Sequence, residues 1–101
     1  MNQPLPSRTL AGLLNAKDFR RCHGSSLAEL LHATVGIKGL KLYCEFAQHL
    51  DCLSPEPNRV RNALCEMRDL LASVRTPENQ YADLIRWHGP RLDELAAGLS
   101  H

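Results

Sequence analysis

Asn58–Arg75, NRVRNALCEMRDLLASVR, sets Val60, Leu64, Met67, Leu71 and Val74 at steps of four, three, four and three. That recurrence near 3.5 residues is the period of one helix side, so the segment predicts a helix with a continuous apolar seam. Over little more than two heptads the seam suits antiparallel bundle packing as well as a coiled coil, and Ala63 and Leu70 widen it to a bundle face. Arg61, Arg68 and Arg75 flank it at a seven-residue interval.

Upstream, Ser54-Pro55-Glu56-Pro57 ends the preceding helix, although Pro57 fits a first helical turn, where its missing donor would be unpaired anyway. Leu40 to Leu53 carries Leu40, Leu42, Tyr43, Cys44, Phe46, Ala47 and Leu50 on more than one face, the pattern of a central helix or of one shared with a partner chain. Gly36 and Gly39 predict a break near Gly36 or a very close helix crossing. Before them, Ser26 with Glu29 has the spacing of a capping box and predicts a helix start, followed by Leu27, Leu30, Leu31 and Val35 on one face. Lys17 to Ser25 reads as a connection, Ser7 to Ala16 as a short helix with Leu10, Leu13 and Leu14, and residues 1–6 as a tail. Downstream, Thr76-Pro77-Glu78 is a helix start, and Tyr81, Leu84, Ile85 and His88 share a face. Gly89-Pro90 then predicts a kink or a second short helix bearing Leu92, Leu95, Ala96 and Leu99.

Leucine and alanine dominate over β-branched residues, which favours helix throughout. The expected fold is all-α, a small bundle of four to five helices formed as a single domain over residues 7–101. A chain of 101 residues buries a modest share of its apolar surface alone, so a homodimer is expected. Twelve Lys and Arg against eleven Asp and Glu leave a formal charge of +1, without the strong basic excess of a protein that lives on nucleic acid or anionic membrane. There is no apolar run of the roughly 18 residues a membrane span needs and no signal-peptide pattern, so a cytoplasmic location is expected. In that setting Cys22, Cys44, Cys52 and Cys65 read as reduced thiols.

Cys22-His23, Cys44, His49 and Cys52 supply zinc-ligand types, but their spacing matches no established zinc module, and Cys44 and Cys52 are expected to pack on the apolar side of their helix. No metal or other cofactor is expected. Cys65 falls beside the seam, where a thiol sensor is the functional alternative to a bystander. Catalysis is not expected, because no nucleophile, base and orienting group converge in any motif. Leu27-Ala28-Glu29-Leu30-Leu31 with the turn-like Val35-Gly36 has the form of a helix-turn-helix opening, which makes a DNA-binding regulator the alternative function. The following helix, however, presents Leu40, Leu42, Tyr43 and Phe46 where polar base-reading side chains belong. Two readings of the arginine row remain open: internal pairing with Glu66, Asp69 or an acid of the last helix, and a docking edge that selects a partner. Tyr43, Phe46 and Trp87, three of five aromatics, are core residues in one reading and interface anchors in the other. The candidate partner-binding set is therefore Arg61, Arg68, Arg75, Tyr43, Phe46 and Trp87.

From Phe19 to Val74, the succession Phe19, Gly24, Leu27, Leu30-Leu31, Cys52, Ala63-Leu64, Met67 and Leu70-Leu71 resembles small helical proteins of pseudomonads. In size and helical class the chain is similar to the QslA-type quorum-sensing anti-activators of that group. The resemblance implies a cytosolic regulator that binds a LuxR-type transcription activator and blocks its dimerisation or its DNA binding, and it carries no site residue with it.

Overall fold

A computed structural model describes residues 7–74 and 80–99. The described chain forms an all-α bundle of four helices: α1 (Ser7–Val35), α2 (Ile37–Asp51), α3 (Pro57–Ala72) and α4 (Ala82–Ala97). The tail at residues 1–6, Arg75 and the Thr76-Pro77-Glu78 helix start lie outside the described residues.

The expected connection at Lys17–Ser25 is helical instead, and α1 runs unbroken for 29 residues. Its inward stripe alternates small side chains with leucines. Thr9, Gly12, Leu13, Ala16, Gly24, Leu27, Leu30 and Leu31 are buried at helical spacing, with half-buried Phe19, Arg20 and His23 filling the middle. Tertiary contact along the whole stripe outweighs the roughly 1 kcal/mol that Gly24 costs a helix interior. The Ser26–Glu29 pair is therefore no cap: it sits inside α1, and the Ser26 hydroxyl bonds to His88 on α4.

The break at Gly36 and the close crossing both occur. Gly36 adopts φ 80° and ψ −154°, a region essentially reserved for glycine, and reverses the chain within one residue. Three residues on, a Cβ at Gly39 would stand 2.7 Å from the Leu31 carbonyl oxygen, so α2 crosses α1 in backbone contact. At the far end of α1, Gly12 does the same against the Gly98 carbonyl, where a Cβ would lie at 2.5 Å.

α2 buries Gly39, Leu42, Phe46 and Leu50 along one broad face against α1 and α3. The helices that touch all others are α1 and α3, so the central position belongs to them rather than to α2. Cys44 and Cys52 are exposed, contrary to the expected apolar packing, because they fall outside that face and at the helix end. In α3, Pro57 takes the first turn and Val60, Ala63, Leu64, Met67 and Leu71 are buried as the seam predicts, but the helix ends at Ala72, so Val74, the last seam residue, lies beyond it and is half-buried. α4 continues through Gly89-Pro90, so no second short helix forms, and it buries His88, Leu92 and Ala96. Among the described residues, no helix is long and apolar enough to cross a membrane.

Candidate functional site

Of the six predicted partner-binding residues, Arg75 lies outside the described residues, and the other five do not share one surface. Phe46 is 0% exposed, one of the largest side chains of the core, and so anchors the bundle rather than a partner. Arg68 reaches across from α3 to Asp93 on α4 and also bonds its neighbour Asp69 at 3.0 Å. Hydrogen bonds to Asp93 and then Asp69 raise its pKa further above the ordinary arginine value, so its charge is permanent and internally answered. Arg61 is half-buried on α3 with no ion pair among the described residues, and Arg75 lies outside them. The internal-pairing reading therefore holds for Arg68.

Trp87 is half-buried between α4 and α1. Arg91 lies over its ring at 3.9 Å and donates to its carbonyl at 2.7 Å, while His23 meets it edge-on at 4.8 Å and Phe19 stacks at 6.4 Å. These contacts spend the indole on joining two helices of the same chain. Behind it, His88 is 1% exposed. Its Nδ1–H donates to the Leu84 carbonyl at 2.8 Å, which leaves Nε2 to accept from the Ser26 hydroxyl at 3.1 Å. Both ring nitrogens are satisfied in the neutral form.

Tyr43, on α2, is half-buried at the opposite flank of α1, 6.0 Å from the Phe46 ring. Its hydroxyl lies where a Cβ at Gly24 would be, so that glycine makes the seat for the phenol. Among the described residues α2 and α4 do not touch, which keeps Tyr43 and Trp87 on separate faces. Tyr43 instead adjoins Arg20, which pairs with Asp51 across the α1–α2 junction. Burial pulls the Arg20 pKa down, but hydrogen bonds to Tyr43 and Asp51 outweigh it and raise the pKa above the usual value.

One surface that combines exposed apolar and basic groups runs along α1. Leu10 and Leu14 are 45% and 61% exposed, and with Lys17 and Arg21, also exposed, they fall at i, i+4, i+7 and i+11 along one side of the helix. Only Leu13 of the three N-terminal leucines turns inward. Reading Lys17–Ser25 as a connection hid this face, since the stripe exists only if α1 is continuous.

Among the described residues no three of His, Cys, Asp and Glu come together as metal ligands, and His49 and Cys52 meet only through a Cys52 Sγ contact to the His49 carbonyl at 3.2 Å. The helix-turn-helix candidate folds with a single residue, Gly36, between its helices, where that motif uses about three or four. No protein-family model, curated protein or solved structure matches the chain.

Proposed function

We propose that the protein is a non-enzymatic protein-interaction module, an anti-activator that docks on a LuxR-type transcription regulator and blocks its dimerisation or its DNA binding. The observation that supports a docking role is the outer side of α1, where two exposed leucines one turn apart continue into Lys17 and Arg21. Exposed apolar anchors beside fixed charge are the combination by which a helix selects a partner: the leucines supply burial and the cations supply orientation and on-rate. The docking edge is thus assigned to α1 rather than to the arginine row of α3, and a regulator surface with an acidic rim is its complement. The same leucine pair is the proposed seam of a homodimer in the unbound protein, so that partner capture competes with self-association.

The test is a tagged pull-down from the native cytosol, with and without nuclease, run in parallel on the wild type and on Leu10→Ser/Leu14→Ser. A LuxR-type regulator retained by the wild type after nuclease and lost from the variant is the expected outcome. Recovery of the regulator only through nucleic acid transfers the assignment to a DNA-binding protein, and equal recovery by both chains removes the α1 face from the reading. Sedimentation velocity on the same two proteins should show the dimer weakened in the variant while its helical circular dichroism is unchanged.

A further inference from the structure

Between α1 and α2, an open cleft of about 590 Å3 is lined by Lys17, Arg20, Arg21, Ser25, Tyr43 and Asp51, with the fully buried Leu50 beneath them. That volume falls within the ~300–1,000 Å3 typical of small-molecule sites. Three cations face one carboxylate, so the wall carries a formal excess of +2 (three minus one) in a chain whose whole net charge is +1. The excess is not distributed evenly among them. Asp51 and Tyr43 already hold the Arg20 guanidinium. Lys17 has no ion pair among the described residues, and Arg21 meets Asp18 only at 3.6 Å with both side chains about three-quarters exposed, a contact of little strength.

The neutral groups are arranged to the same end. Lys17, Arg21 and Ser25 recur every four residues and form one row along α1, and the Ser25 hydroxyl has no partner among the described residues. The Tyr43 hydroxyl lines the same cleft beside Arg20, and a phenol can donate its proton to an anion. Gly24 lets that phenol lie against the α1 backbone, since any side chain there would displace it. The cleft therefore offers an ammonium, a guanidinium and two hydroxyl donors around an opening whose one carboxylate is already neutralised.

We propose that this cleft is a binding site for a phosphate dianion, either inorganic phosphate or the phosphate end of a small phosphomonoester, held by Lys17, Arg21, Ser25 and Tyr43. Guanidinium and ammonium together match a tetrahedral dianion, with Arg21 supplying planar paired donors and Lys17 a point charge.

Titration of the full-length 15N-labelled protein with inorganic phosphate and, separately, with a mononucleotide tests this, with sodium chloride holding ionic strength constant. Saturable shifts centred on the amides of Lys17, Arg21, Ser25 and Tyr43 are expected, weakened at least tenfold in Lys17→Gln/Arg21→Gln. Tighter saturation by the nucleotide identifies a phosphomonoester as the ligand, and equal saturation identifies phosphate itself. Shifts that do not saturate, that chloride reproduces, or that persist in the variant overturn the proposal. Both substituted side chains are exposed, so the variant keeps its fold, and its unperturbed spectrum elsewhere verifies that.

Discussion

At the scale of single residues, the most constrained ionisable group is His88. Burial holds its pKa below the ordinary 6.5; the Leu84 carbonyl acts against this shift, and the charges of His23 and Arg91 add to it. The unfolded chain therefore takes up a proton near pH 6.5 that the native chain refuses. Stability is full above that pH and declines as the pH falls through 6.5 toward the native value, by about 1.4 kcal/mol for each unit separating the two. Protonation would also turn both ring nitrogens into donors and force the Ser26 hydroxyl to reverse. Urea midpoints measured at pH 7.5 and 5.5 should drop more for the wild type than for His88→Gln; equal drops would assign the acid sensitivity to other groups.

At the scale of elements, α4 contains a proline at its ninth position, so the Arg86 carbonyl has no amide to receive from residue 90. Proline inside a helix costs ~3 kcal/mol relative to alanine. Pro90→Ala is accordingly expected to raise the unfolding free energy by about 1–3 kcal/mol in urea denaturation. A loss of stability would instead mean that the packing of Leu92, Ala96 and Leu99 depends on a bend at Pro90. The element boundaries divide by the kind of signal that sets them. Gly36, Pro57 and the α3 seam were legible because backbone chemistry or large apolar side chains mark them locally. The middle of α1 is not: its inward residues are Phe19, Arg20, His23 and Gly24, too polar and too small to make an apolar stripe, and the Ser26–Glu29 pair imitates a cap while Ser26 serves a tertiary bond to His88. The candidate site suffered the same way. Whether Arg68 is free or answered by Asp93 depends on how α3 docks on α4, a contact 25 residues apart that no local pattern encodes. The leucine–cation face and the basic cleft both depend on α1 being continuous through residues 17–25, which no local pattern marks.

At the scale of the whole molecule, the described chain extends 52 × 21 × 21 Å, and α1, at ~1.5 Å per residue about 43 Å long, sets that length. Since α1 and α3 each contact every other helix, neither α2 nor α4 can detach without exposing core residues of both. Unfolding should be a single transition. Trp87, the one tryptophan, sits on the α1–α4 contact, so its fluorescence and the far-UV circular dichroism should trace coincident urea curves. An earlier fluorescence transition would show α4 leaving first. The two inter-helix joins also differ in what they allow the chain to become. Gly36 alone links α1 to α2, whereas five residues, Cys52 to Glu56, link α2 to α3. An extra residue at the first join must unwind a helix end or swing α2 by about 100° around its axis, carrying Phe46 out of the interior. The second join can absorb it as slack. Insertions and deletions along any lineage of this fold are thereby steered to one side of α2 and barred from the other.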